Sequence, residues 1–268
     1  MAATETGSEH LRLSIDDGVA VLTIDNAADR NRLTPAAMAV LGALAEQLRG
    51  RDDVHCLVIT AVGEVFSMGL LNPTLREAMS KDDVVGFVLA ANRVFDAIEA
   101  LPQVVVCGIN GLLRAGAAEL AMACDIRYVA DHATLTLPEA GWGGFPGAGA
   151  PVRLPGLIGH GRALQLICTG RTIDAQEMLR YGFADEVVPA AEFPRAVLAL
   201  ARAIADAGPL ATRGAKRIMR LRQEPGLRAA RELSDALRQA LEWSHDVDEG
   251  SAAFAFAMAI RVARCATR

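Results

Sequence analysis

Short apolar, β-branched runs alternate with longer helix-forming stretches over the first two-thirds of the chain, and that alternation confines it to α/β architectures. Leu11, Leu13 and Ile15 alternate with polar residues, Asp16-Asp17-Gly18 supplies a turn, and 19–24 is rich in β-branched residues, so 11–24 reads as a hairpin. Thr34-Pro35 reads as an N-cap followed by a proline at the first helical position, opening a helix to about Arg49. Residues 56–60 and 104–109 read as buried strands, 82–101 as a helix, and 125–130 and 134–137 as further strands. A small-residue helix is expected to begin near Gly116. From Gly141 to Gly161 glycine and proline are so dense that a long irregular loop is expected. Beyond about Pro194 the sequence is almost wholly helical. The expected division is an α/β core over 1–195 and a helical subdomain over 196–268.

Composition narrows the function classes. Hydrophobic residues are 52% and charged residues 22% of 268, which is the mixture of a folded globular chain. The longest apolar runs fall short of the roughly 20 residues needed to span a bilayer, so no membrane partner is expected. The N-terminal decapeptide is polar and acidic, unlike a secretory signal, and a cytoplasmic protein is expected. Five cysteines and five histidines are scattered without ligand spacing, so neither a disulfide framework nor a metal site is expected. Net charge is −5, yet 201–268 carries 12 basic and 8 acidic residues. With aromatic residues at 4%, that basic tail suits a local phosphate-bearing ligand better than nucleic acid.

The sequence holds no G-x-S-x-G elbow and no phosphate-binding P-loop, and Gly141, Gly143 and Gly144 lack the spacing of a dinucleotide loop. Two carboxylates stand out. Glu119 lies in an Ala/Gly/Leu/Met run, and Glu139 lies between Leu135-Thr-Leu-Pro138 and the glycine-rich stretch. An apolar setting raises a carboxyl pKa and suits it to proton transfer near neutrality. The same residues are also compatible with a Glu119–arginine pair and a turn-capping Glu139.

Read together, four segments resemble the crotonase superfamily, the enoyl-CoA hydratase/isomerase family: Val65-Phe-Ser-Met-Gly-Leu-Leu71, Asn110-Gly-Leu-Leu-Arg-Ala-Gly-Ala-Ala-Glu-Leu-Ala-Met-Ala-Cys-Asp125, Leu137-Pro-Glu-Ala-Gly-Trp-Gly-Gly-Phe-Pro-Gly-Ala-Gly149 and Asp246-Val-Asp-Glu-Gly-Ser-Ala-Ala-Phe254. The resemblance implies a spiral of β-β-α turns with a helical C-terminal region that assembles trimers or dimers of trimers. It implies an acyl-CoA thioester as substrate, so that coenzyme A arrives on the substrate and no separate cofactor is needed. The thioester oxygen would be held by the backbone N–H groups of Leu70 and Gly116. Hydratases of the family use two glutamates, here Glu119 and Glu139, whereas its isomerases generally use the later one alone. The implied activity is therefore hydration of a 2-enoyl-CoA. Isomerase, hydratase-lyase and thioester hydrolase reactions, or a non-catalytic acyl-CoA-binding role, stand as alternatives.

This chain departs from the family pattern at Met68, a usually small position, at Leu71, which replaces Asp, at Arg114 and at Trp142. Met68 and Trp142 are thereby candidate acyl-pocket residues. Lys216 and Arg220 share a helix face by their i, i+4 spacing, and in the trimer that the resemblance implies, where the C-terminal region packs against a neighbouring subunit, they are expected with Arg30 and Arg32 to line the mouth for the nucleotide phosphates.

Overall fold

The structure is a computed structural model that describes residues 3–8 and 10–223, together with positions 231–232, 235–236, 239–240, 242–243, 248 and 252. The C-terminal motif at 246–254 lies outside the described residues except for Asp248 and Ala252.

Strand β1 (Ala3–Ser8) pairs with β2 (Leu11–Asp16), which forms the expected hairpin with β3 (Val19–Ile24). Asp17 and Gly18 both take positive φ, the conformation a tight hairpin turn demands. Helix α1 (Pro35–Arg49) starts where expected, the Thr34 hydroxyl accepting the Ala37 N–H at 3.2 Å. There follow β4 (Cys56–Ala61), β5 (Val65–Ser67), α2 (Pro73–Glu77) and α3 (Lys81–Glu99). The next turn comprises β6 (Val104–Ile109), β7 (Leu112–Arg114) and α4 (Gly116–Met122). Then come β8 (Ile126–Ala130), β9 (Thr134–Thr136), α5 (Ala150–Ile158) and α6 (His160–Thr169). The chain continues through β10 (Ile173–Asp174), α7 (Ala175–Tyr181), β11 (Glu186–Val188), α8 (Phe193–Ala205) and α9 (Pro209–Gln223).

Among the described residues these strands make two sheets, a seven-stranded one ordered β1-β2-β3-β4-β6-β8-β11 and a four-stranded one ordered β10-β9-β7-β5. Each spiral turn thus gives one strand to the large sheet (β4, β6, β8), the next to the small sheet (β5, β7, β9), and then a helix. This is the β-β-α spiral. Strands β3 to β11 of the large sheet run parallel. A parallel sheet is buried on both faces, which is why β6 reads Val-Val-Val-Cys-Gly-Ile without alternation. One face packs on α1, α3 and α4 in the main core. The other carries Val19, Cys56, Val58 and Val106 under Phe193, Val197 and Ala201 of α8. The boundary expected at residue 195 falls inside α8, and that helix covers the sheet.

The expected irregular stretch 141–161 is corrected by α5 and the start of α6. Pro151 sits in the first turn of α5, where a missing N–H costs nothing. Buried Ala150, Leu154 and Ile158 give the helix an apolar stripe that outweighs Pro155 inside it. No helix among the described residues is long and apolar enough to cross a membrane.

Candidate active site

The site is built where the parallel strands β5, β7 and β9 end side by side. Chain leaving β5 turns at Gly69, whose φ is +91°, so that a Cβ there would lie 2.9 Å from the Arg114 carbonyl oxygen and 3.1 Å from the Gly116 nitrogen. A Cβ on Gly116 would in turn stand 2.5 Å from Leu70 Cγ. Two glycines therefore let the 68–71 loop lie against the turn from β7 into α4, bringing Leu70 and Gly116 together. Ala115, the residue before Gly116, has φ 52° and ψ −132°, a costly conformation for a residue with a Cβ. The N–H groups at the start of α4 have no intrahelical acceptor; the first such bonds run from Ala118 and Glu119 to the Ala115 carbonyl at 2.8 and 3.4 Å.

The 68–71 loop is braced by the segment after β3. The Met68 N–H donates to the Arg30 carbonyl at 3.2 Å, and the Leu33 N–H donates to that of Gly69 at 3.0 Å. Arg32, 8% exposed, donates through Nη1 to the Leu71 carbonyl at 3.1 Å and pairs with Asp29 at 3.3 Å. Asn31, buried and at φ 56°, donates to the carbonyls of Val62 and Val65 at 2.8 and 2.7 Å, and its Oδ1 accepts the Asn26 N–H. The only sequence signal for Asn31 is an asparagine in a polar loop, the residue type that tolerates the left-handed region.

Glu119 projects from α4, 2% exposed, and its Oε1 accepts the Ala150 N–H at 2.9 Å from the start of α5. Glu139 opens a 3-10 turn over Glu139–Trp142, three residues past β9, and is half-buried. Because the Ala115 N–H donates to the Thr136 carbonyl at 3.0 Å, the chains carrying the two glutamates leave the same end of adjacent strands. Arg114 stacks over the half-buried Trp142 ring, 5.4 Å from its centroid. Burial presses the Arg114 guanidinium below its ordinary pKa, the Glu139 carboxylate opposes that shift, and the charges of Arg32 and Arg30 add to it. Three arginines and Glu139 thus feel one another at this end of the sheet.

The structure sets Leu70 against Gly116, ties Met68 to Arg30 and Arg32 to the Leu71 carbonyl, places Trp142, Glu139, Arg30 and Arg32 around Arg114, and puts Glu119 one turn into the helix that Gly116 opens. Within one chain Lys216 and Arg220 stand apart from them. Lys216 is 8% exposed, donating to the Gln103 carbonyl at 2.7 Å and to Asp125 at 2.5 Å beside the N-terminal end of β6. That is the opposite end of the sheet from the 110–116 turn. Arg220 pairs with Glu99 at 3.3 Å and Arg213 with Asp52 at 2.9 Å. The basic stripe of α9 faces the body of the protein because carboxylates wait there.

A model of the enoyl-CoA hydratase/isomerase family matches residues 14–257. The chain is 32% identical over 208 residues to the crotonyl-CoA hydratase of Syntrophomonas wolfei, an alignment covering 78% of this chain and 80% of that protein. It is 31% identical over 198 residues to the short-chain-enoyl-CoA hydratase of Clostridium acetobutylicum, covering 74% and 76%. Among solved structures, an enoyl-CoA hydratase from Bacillus anthracis superposes with a TM-score of 0.76 at 30% identity, covering 94% of this chain and 95% of that one.

Proposed function

The chain belongs to the enoyl-CoA hydratase/isomerase family, and from that premise we propose that it adds water across the 2,3 double bond of a 2-enoyl-CoA thioester. The observation that carries this reading is the pair of carboxylates, Glu119 and Glu139, leaving neighbouring strand ends beside Gly116. In the reaction the thioester oxygen lies between the N–H groups of Leu70 and Gly116, which stabilise the enolate charge as it forms. Glu119 takes a proton from water as its oxygen bonds to C3, the double-bond electrons move onto the thioester oxygen, and Glu139 delivers a proton to C2 as the enolate collapses. The two glutamates act as a coupled pair, and this division of labour describes one microstate of it. The chemistry needs no metal and no cofactor beyond the coenzyme A carried by the substrate.

Arg30, the exposed member of the basic set, is the candidate for the nucleotide phosphates, and Met68 and Trp142 are the candidate acyl-pocket walls. A homotrimer or dimer of trimers is proposed through the helical layer after residue 195. It is supported by α9, which turns Leu210, Ile218 and Met219 outward at 87%, 71% and 64% exposure. Among the described residues four cysteines are free and three of those are buried, which supports a reducing, cytoplasmic setting.

The test is turnover of crotonyl-CoA, followed by loss of absorbance of the conjugated thioester. Glu119→Gln and Glu139→Gln should each lower turnover at least about 100-fold, because general acid–base catalysis contributes roughly 10²–10⁴-fold. Near-normal turnover in either variant overturns the two-carboxylate mechanism. Survival of double-bond isomerisation in Glu119→Gln, with hydration lost, would instead favour the single-carboxylate isomerase reading.

A further inference from the structure

Arg153 lies in α5, three residues after the N–H that holds Glu119, and is 6% exposed. A buried guanidinium must satisfy a planar set of donors. Its Nη2 donates to Asp96 Oδ1 at 2.5 Å and its Nε to Glu99 Oε2 at 2.9 Å, both carboxylates standing on α3. That fixes two sides of the fork. Its Nη1 then reaches back to the Ala148 carbonyl at 3.2 Å. Gly149 lies between that carbonyl and the Ala150 N–H, at φ +124°, and a Cβ on it would collide with Arg153 Nη1. The turn can wrap the guanidinium only because residue 149 is glycine. From the far side of the turn, the Ala150 N–H donates to Glu119 Oε1 at 2.9 Å in a fully buried bond.

We infer that Arg153 is a positioning residue: anchored on Asp96 and Glu99, it fixes the Ala148–Ala150 turn whose N–H orients the Glu119 carboxylate. The inference rests on reading Glu119 as an acid/base of the hydration. A buried arginine that served folding alone would need its two carboxylates. The third contact, two residues from the N–H that touches Glu119, gives it leverage on the reacting group. Asp96 is also contacted by Arg231, and Glu99 is paired with Arg220 at 3.3 Å. Helix α9 and residue 231 therefore pull on the carboxylates that aim the glutamate, which links the C-terminal layer to the site.

The test pairs kinetics with crystallography on the full-length protein. Arg153→Met should lower kcat about 100-fold, the effect of a displacement of about 1 Å at a reacting group, while KM stays within about twofold. Arg153→Lys, which keeps one donor, should recover part of the loss, and it carries the same test if the methionine variant does not fold. In a Glu119→Gln background, Arg153→Met should cost less than about threefold more, because residues acting through one another are not additive. A full multiplicative loss there, or an unchanged kcat in the single variant, overturns the inference. Independently of turnover, a crystal structure of the Arg153 variant should show Ala150 N and Glu119 Oε1 beyond hydrogen-bond distance, and a bond retained near 2.9 Å overturns it. A wild-type chain inert towards enoyl-CoA thioesters would sink the hydratase reading alone, leaving that distance to decide the role of Arg153.

Discussion

Helices α4 and α9 each bury a charged side chain, and they do so in opposite ways. Every residue of α4 is buried, and Glu119 lies among alanines and Leu120 with a backbone N–H on its carboxylate. Helix α9 is strongly basic, and Lys216 is buried against Asp125 and a carbonyl while Ile218 and Met219 face outward. Burial lowers the Lys216 pKa from its ordinary value, and the Asp125 charge opposes that shift. The difference teaches what burial of charge is for in each place. Lys216 is neutralised by a partner that also accepts the Val105 N–H at 2.7 Å, so it bolts a helix to a strand. Glu119 is held by a single backbone N–H, that of Ala150, beside the turn where Leu70 meets Gly116, and the proposed hydration would use that carboxylate.

The comparison is most sharply tested at Gly116. A branched side chain there collides with Leu70, whose Cγ and Cδ1 stand 2.5 and 2.6 Å from the Cβ position, and Leu70 is itself 4% exposed. If the Gly116 N–H holds the thioester oxygen as proposed, Gly116→Val should lower kcat/KM by about 10³-fold or more, since displacing one such donor alone costs about 10²–10³. Overpacking should also cost about 1–3 kcal/mol of stability. Crotonyl-CoA turnover with a thermal melt checks both, and a variant with the melt displaced but turnover intact would remove Gly116 from the site.

At the other helix the expected pattern reverses. Lys216→Met leaves the half-buried Asp125 without its ammonium, which costs less than the roughly 3–5 kcal/mol of a fully buried pair, about 1–3 kcal/mol, while kcat and KM in the folded fraction stay within about twofold. The double variant Lys216→Met with Asp125→Asn should recover most of that stability. Denaturant unfolding and steady-state kinetics measure the two halves. A raised KM for the thioester, in a variant that melts normally, would return Lys216 to the nucleotide mouth and break the contrast.

What the sequence made legible follows the range of the forces involved. The β2–β3 hairpin, the Thr34 cap of α1, the β6 strand and the carboxylate-bearing turns are written within a few neighbouring residues, and so could be read there. The face that α9 presents is set by Asp52 and Asp125, which lie 161 and 91 residues from Arg213 and Lys216. Periodicity shows only that a stripe exists; the distant carboxylates decide that it points inward. Helix α5 was obscured differently, its two prolines and flanking glycines masking a stripe that only the packed core reveals. Strands β5 and β7, three residues each, are too short for any period to register.

The smallest effect expected separates the charges around α9 by pH. Cys56 lies beneath α8 near Asp125 and Lys216, and burial, reinforced by the Asp125 charge, pushes its thiol up to about 12 from an ordinary 9.0. Between those values the unfolded chain has lost a proton that the native state keeps, so stability falls as pH rises, by at most about 1.4 kcal/mol per pH unit. Buried Cys107, raised well above its ordinary value chiefly by desolvation, adds a slope of the same sign. Lys216 works the other way: from its lowered native pKa up to 10.5 the unfolded chain holds the extra proton, and stability rises with pH. Urea unfolding at a series of pH values from 8.5 to about 10.5 should therefore show a shallower alkaline decline in Cys56→Ala than in the wild type and a steeper one in Lys216→Met. The volume lost with the thiol shifts the Cys56→Ala curve by a constant without tilting it, so slope and offset report different things. Parallel curves for all three proteins would mean that neither group changes its proton affinity on folding, and the contrast between a bolted and a reactive buried charge would then rest on α4 alone.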